Sequence, residues 1–320
     1  MPDAGTVLVL AGRFDPTVDL AIEELNRRAV PVFRADVSEF PVGLVLSADL
    51  TGDGWCGTLD NGRRTLRLES VRSVYCRRPT RPQPPENMPA DARKVAEREA
   101  RLGFGGLLAA LPCRWLSPPG RAADAEYKPL QLRVAAESGL KVPRTLITND
   151  PNTAKRFADD TGRVVYKPFH PVRGSVSGKP AVVYTSPVEP QDLPHSDIAT
   201  TAHLFQEWVP KAHEIRLTVV GERFFAVEIH VSSERGHLDW RSDYGSHTYR
   251  KCDPPANVVD GVSQMLNRLG LPYGAFDFVV TPEGEWIFLE VNPSGQYGFI
   301  EVATGVPITA AIADYLEGRA

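Results

Sequence analysis

Three oxygen-bearing side chains near the C-terminus carry the strongest chemical signal in this chain. They are Asp277, Glu290 and Asn292, within the run GAFDFVVTPEGEWIFLEVNPSG. Two carboxylates and one amide oxygen suit a hard divalent cation. Magnesium takes one or two protein carboxylates and completes its octahedron with water and phosphate oxygens. Asn292 adds an oxygen without adding charge. Glu290 follows Ile287-Phe288-Leu289 and precedes Val291, and a charge inside an apolar run needs a partner. The competing reading is an ordinary hairpin whose acids face water.

Positioning these groups requires a hairpin. Aromatic and β-branched residues predict strands over Ala275–Val280 and Glu285–Val291, around the turn Thr281-Pro282-Glu283-Gly284. Period-two alternation puts Trp286, Phe288, Glu290 and Asn292 on one face. A four-residue loop pairs Val280 with Glu285. Asp277 then lies opposite Phe288, on the face of Glu290, and a slip of one residue would send it to the other face.

At 320 residues the chain can bury a sizeable core and holds one large domain or two to three smaller ones. Its 42% hydrophobic and 24% charged residues are ordinary for a soluble globular protein. A net charge of −4 gives no case for nucleic acid as a partner. Cys56, Cys76, Cys113 and Cys252 form no CxxC, and the histidines form no HExxH. That spacing argues against a disulfide framework or a zinc site and fits a reducing cytoplasm. The apolar run Val7–Leu10 has no basic region before it and reads as a strand rather than a signal peptide. No run approaches the length of a membrane helix.

The remaining elements follow in order. Thr6–Ala11, Val18–Ala29 and Val30–Phe33 predict strand, helix and strand, the start of a parallel α/β unit. The intervening Gly12-Arg13-Phe14-Asp15 lacks the GxGxxG of a dinucleotide site. Short strands are expected at Leu44–Ser47, Trp55–Leu59, Thr65–Leu68 and Ser73–Cys76, and a helix over Asp91–Leu111. Arg77, Arg78 and Arg81 stand at the mouth of a proline-rich loop, where a charge cluster is usually solvated surface and less often an anion site. A boundary falls near Ser117–Ala123. Helices over Asp124–Gly139 and Asn149–Gly162 flank a strand over Val142–Ile147. Strands Val164–Lys167 and Ala181–Thr185 flank Pro168–Pro180, a polar segment whose backbone N–H groups could cover phosphates or simply form a hairpin tip. Strands His203–Val209, Glu214–Val220 and Arg223–Val231, an irregular Ser232–Lys251, and helices Asn257–Leu269 and Val306–Glu317 complete the reading.

Four features then stand in order: Lys128 inside a helix, Lys167 ending the strand Val-Val-Tyr-Lys, an acidic hinge at Phe205-Gln206-Glu207-Trp208-Val209 followed by Glu214 and Arg216, and the Asp…Glu-x-Asn set. The order is more specific than any part of it. Across residues 124–320 the sequence resembles the ATP-grasp ligases, and more closely the graspetide synthetases that mature ribosomal peptides. The resemblance rests on Glu126-Tyr127-Lys128-Pro129-Leu130-Gln131-Leu132, Val142-Pro143-Arg144-Thr145, Phe205–Lys211, Glu214-Ile215-Arg216, Asp239-Trp240-Arg241 and Leu289–Gln296. Tyr75-Cys76-Arg77-Arg78-Pro79 resembles the N-terminal domain of the same enzymes.

The resemblance implies an α/β fold: a parallel pre-ATP-grasp domain over residues 1–122, a central lobe over 123–210 and an α+β C-terminal lobe over 211–320. It implies that Lys128 and Lys167 contact ATP phosphates, and that Glu207, Trp208 and Val209 form the adenine-binding hinge. Glu214 would take the ribose hydroxyls, and Asp277, Glu290 and Asn292 would hold magnesium, as two ions. Arg216 and Arg241 would bind the transferring phosphate or an acyl-phosphate. The partner implied is a precursor peptide with leader and core, with neither nucleic acid nor membrane, and the assembly a homodimer. Glu189–Asp197 is a candidate contact for a basic leader, against the plainer reading of a solvated loop. Two other readings stay open: an ATP-grasp ligase for different substrates, and a non-catalytic nucleotide-dependent binding protein.

Overall fold

The computed structural model describes residues 5–169, 172–176, 179–183, 185–189, 191, 193, 196–233 and 247–319. The N-terminal part is built on β1 (Thr6–Ala11), α1 (Pro16–Arg27) and β2 (Val32–Ala35). Asp15 caps α1, accepting from the backbone N–H of Thr17 and Val18, with Pro16 in the first turn. A three-stranded antiparallel sheet follows, made of β3 (Val45–Thr51), β4 (Gly54–Asp60) and β5 (Thr65–Arg67). Then come β6 (Val71–Arg77), the long helix α2 (Ala90–Ala109) and β7 (Arg114–Leu116). The parallel sheet has the order β2-β1-β6-β7. Both of its faces are covered, so β1 reads as a continuous apolar run. Val7 and Val9 point to one apolar cluster, Leu8 and Leu10 to another.

Where one helix is predicted over Asp124–Gly139, there are two: α3 (Pro119–Ala125) and α4 (Lys128–Glu137). Pro129 belongs to the first turn of α4, where a missing N–H costs nothing, and could not lie inside a continuous helix. Lys128 is therefore the first residue of a helix rather than an interior one.

The central sheet is antiparallel, in the order β12-β9-β13-β8. It comprises β8 (Thr145–Thr148), β9 (Val164–Lys167), β12 (Ser186–Val188) and β13 (His203–Glu207), with α5 (Pro151–Thr161) capped by Asp150. A separate hairpin pairs β10 (Val172–Val176), inside the segment singled out for phosphate cover, with β11 (Lys179–Val183), which begins in that segment and runs into the predicted strand Ala181–Thr185.

The C-terminal sheet has five antiparallel strands, in the order β16-β15-β14-β17-β18. They are β14 (His213–Val220), β15 (Arg223–Val231), β16 (His247–Cys252), β17 (Tyr273–Val280) and β18 (Trp286–Asn292). The strand β16 falls in a stretch predicted to be irregular. Its alternating polar residues form an edge strand, where one face can stay wet. Helix α6 (Ala256–Leu269), ending at Gly270 with φ +66, covers one face of this sheet. The segments α3 and α4 bury Ala125, Val134 and Ala135 in that same cluster, so by packing they belong with the C-terminal sheet. The short α7 (Gly298–Thr304), absent from the sequence reading, and α8 (Ile308–Glu317) close the chain. They join Val220, Val227 and Tyr273, on the other face of the sheet, to α1 and β1. Among the described residues no helix is long and apolar enough to cross a membrane.

Candidate active site

The hairpin β17–β18 does not follow the predicted register. Thr281 donates its N–H to the carbonyl of Glu285 at 2.9 Å, so the loop has five residues and Val280 faces Trp286 instead of Glu285. Taken alone, that slip would put Asp277 and Glu290 on opposite faces. A β-bulge cancels it. Phe278 pairs with Phe288, but Asp277 pairs with Glu290, leaving Leu289 as the extra residue. The two shifts together restore the parity. Phe288 and Trp286 join the apolar face with Phe276 and Phe278, whereas the alternation argument put them beside Glu290. Asp277, Glu290 and Asn292 share the other face: Asp277 lies opposite Glu290, and Ala275 opposite Asn292.

The charges on this face compensate one another. Asp277 is 2% exposed, and its Oδ1 lies 3.0 Å from Nε of Arg216, the residue opposite it on β14. The amide of Asn292 donates to Asp277 Oδ2 at 3.4 Å. The ammonium of Lys128 is ion-paired with Glu290. A buried carboxylate without such partners would be costly, and here every acid of the set has a cation beside it. Two carboxylates with an amide oxygen between positive groups fit the magnesium chemistry expected of them. The rest of an octahedral shell would come from water and phosphate. Among the described residues, no cluster of three His, Cys, Asp or Glu side chains offers a metal site of another kind.

Glu214 lies on the same face as Arg216, two residues earlier on β14, and is 5% exposed and paired with Lys211. Lys211 also stands 5.7 Å from the ring of Trp208, whose other neighbour is Arg163 at 4.6 Å. Residues 208–212, including Val209, join β13 to β14, so this hinge links the central sheet to the C-terminal one. Glu207 ends β13, and its carboxylate accepts from the Arg144 backbone at 3.2 Å. Lys167 ends β9 opposite Leu204, on the central sheet. The structure thus gathers Lys128, Arg216, Asp277, Glu290 and Asn292, with Glu214 nearby, and puts Lys167, Glu207 and Trp208 across the hinge. Arg241, with Asp239 and Trp240, lies outside the described residues, as do several residues of the Glu189–Asp197 segment.

Several neighbours of the site had no site role in the sequence reading, and Arg77, read there as part of a solvated charge cluster or an anion site, is instead buried on protein partners. The turn after Asn292 is held by groups from distant segments. Ser117, at φ +61, donates its hydroxyl to Pro293 O at 2.6 Å. Arg77, 2% exposed, reaches Asp15 and the carbonyls of Ser294 and Gly295. Tyr273 donates to Gly295 O at 2.8 Å, and burial pushes its hydroxyl up to about 12. Gln131 donates to Val291 O and accepts from Val291 N–H, each at 2.9 Å. Each contact spans many residues of chain, so no local pattern announces it.

Comparison with known proteins identifies the family and the fold. Residues 6–122 match the family described as the MvdD pre-ATP grasp domain. The macrocyclase MdnB from Microcystis aeruginosa has 31% identity and a TM-score of 0.81, over 98% of this chain and 99% of that one. The macrocyclase MdnC from the same organism, solved with its precursor peptide MdnA, has 30% identity over the same shares and a TM-score of 0.83. A Chryseobacterium gregarium RiPP-associated ATP-grasp ligase, solved with ADP and a leader and core peptide, has 28% identity and a TM-score of 0.90, over 99% and 97%. No curated protein matches the sequence. At such identity over nearly the full length of both partners, this chain belongs to the graspetide synthetases, the ATP-grasp ligases that include MdnB and MdnC.

Proposed function

We propose that this ligase joins a side-chain carboxylate of a ribosomal precursor peptide to a hydroxyl or amine of the same peptide, closing a macrocycle at the expense of ATP. The observation that supports this most is the bulged hairpin, which gathers Asp277, Glu290 and Asn292 beside Lys128 and Arg216. An Asp or Glu carboxylate oxygen of the core attacks the γ-phosphorus. The bond from γ-phosphorus to the β–γ bridging oxygen breaks, giving an acyl-phosphate and ADP. A Ser or Thr hydroxyl then attacks the acyl carbon to form an ester, or a Lys amine to form an amide. Phosphate leaves with the bonding pair, and the nucleophile gives up a proton. Phosphoryl transfer of this kind is mostly positioning and neutralisation of spread charge. Magnesium, as a pair of ions, would supply that neutralisation at the phosphates and would be held by Asp277, Glu290 and Asn292.

The chain's own groups take the remaining roles in this proposal. Lys128 grips phosphate oxygens from the start of α4 and Lys167 from the central sheet. Glu207 and Val209 present the hinge to the adenine edge, with Trp208 behind it, and Glu214 takes the ribose hydroxyls. Arg216 and Arg241 hold the acyl-phosphate. Closure of the central lobe would keep water from that intermediate. The working partition is residues 1–122, 123–210 and 211–320, with α3 and α4 counted with the C-terminal lobe by their packing.

Co-expression with a precursor peptide encoded beside the gene, followed by intact and tandem mass spectrometry, tests the proposal. One water lost per bond, located between an acidic residue and a Ser, Thr or Lys, is expected. ATP hydrolysis with no mass change in the peptide would remove the macrocyclase reading.

A further inference from the structure

The strand β18 is an edge strand, with β17 on one side and no further strand beside it among the described residues. Its outer edge is nevertheless covered at two points. The carbonyl of Lys141 accepts from Phe288 N–H at 2.8 Å, in a parallel bridge between Lys141 and Ile287. Three residues later, the Gln131 carboxamide both donates to and accepts from the backbone of Val291. The bulge at Leu289 and Glu290 lies between these two points. Gln131 is 3% exposed, and its Nε2 also donates to Ala125 O. It sits one helical turn after Lys128, whose ammonium takes the Glu290 side chain. Helix α4 thus holds both the acid's side chain and the backbone just after it.

We propose that Gln131 is a positioning residue for the metal face. Its carboxamide substitutes for a sixth strand at a single residue and fixes the spacing between Glu290 and Asn292. Burial disfavours the unbulged register, in which Glu290 would lie opposite Phe276 within the apolar cluster. Burial does not fix the orientation of the two peptide units that flank Val291. Two hydrogen bonds from one planar amide do, because N–H and C=O are constrained together. An apolar side chain of the same length would fill the space and leave both backbone groups unpaired. The role rests on the metal assignment proposed above, so one of the tests is independent of any metal.

The experiment compares wild type with Gln131→Met and with Gln131→Asn, which is one methylene too short to reach. Val134→Ala, on the same helix and in the apolar cluster, controls for stability loss alone. Binding of Mn²⁺ in the presence of ADP is followed by electron paramagnetic resonance. Exchange of the Val291 amide is followed in metal-free protein. Both Gln131 variants should bind Mn²⁺ about 10–100-fold more weakly, as removing an outer-shell partner of a metal site generally does, and should exchange Val291 faster. Val134→Ala should do neither. Unchanged Mn²⁺ affinity in a folded Gln131 variant, or an equal loss in Val134→Ala, overturns the proposal. Wild type that binds no Mn²⁺ removes the metal assignment, and Val291 exchange unchanged from wild type then removes the clamp as well.

Discussion

The C-terminal and central sheets face the same reaction with unequal means. Beneath the C-terminal sheet lie nineteen buried apolar side chains drawn from both strands and helices, from Ala125 to Val291. The central sheet has seven, among the described residues, from Ala154 to Phe205. The first carries Asp277, Glu290 and Asn292, the residues proposed to hold magnesium. The second carries Lys167 and is joined to the first through the hinge. A small apolar core gives a low local opening free energy, which suits the closure over a nucleotide proposed for the central lobe. The difference shows where rigidity is concentrated: at the carboxylates, where the turn after Asn292 is held by Ser117, Arg77 and Tyr273.

Substitutions test whether the two sheets differ in this way, beginning with the most damaging. Glu290→Gln and Asp277→Asn should lower kcat at least about a hundredfold with the fold intact, the scale seen when one preorganised electrostatic group is lost. Full activity of purified Glu290→Gln would detach the rigid sheet from the chemistry. Phe288→Ala should cost about 3–5 kcal/mol, because Phe288 is fully buried among Phe276, Phe278 and Trp286. Phe157→Ala, in the small core, should lie at the low end of that range and lower only an early phase of thermal unfolding, read by calorimetry. Equal effects on one cooperative transition would erase the distinction between the lobes. Gly295→Ala would bring a Cβ to 2.4 Å from Ala275 Cβ and 3.2 Å from Asn292 Cβ. It should therefore weaken Mn²⁺ binding more than it lowers the melting temperature.

The smallest effect concerns neither lobe but the seam between α1 and α8. Glu24 is held at about 2, chiefly by the hydrogen bond from Arg27, with Arg28 adding to it. Arg28 also binds Asp314 and Glu317 on α8. A folded-state value below the ordinary 4.5 means that the contribution is complete above about 4.5 and fades as pH falls toward about 2. The melting temperature of Glu24→Gln should vary less than wild type between pH 5 and pH 3.

Much of this was legible in the residues. β1 and β9 fall where the apolar runs predict them, and the Asp277, Glu290 and Asn292 set was read from its donor chemistry. The register was not, because alternation says nothing about an inserted residue, and the bulge depends on which side chains fit beneath the strand. The break between α3 and α4 was missed because Pro129 is as compatible with a first turn as with a disrupted helix, and only packing decides. The strand β16 was missed for the opposite reason: Thr248, Arg250 and Lys251 look like a loop until Glu228 is found opposite Arg250. Arg77 and Gln131 were visible as residues, but their partners are 217 and 160 positions away.

The extra residue at Leu289 makes this hairpin more sensitive to pairing register than to composition. Pairing Leu289 regularly, opposite Asp277, would leave every ligand in the chain and turn Glu290 toward Phe276, so a slip of one position in the ladder could silence the enzyme while each individual letter of the motif survived. For relatives of this chain, the informative quantity is the number of residues separating the last core phenylalanine from the asparagine, three here between Phe288 and Asn292, ahead of any percentage of identical positions.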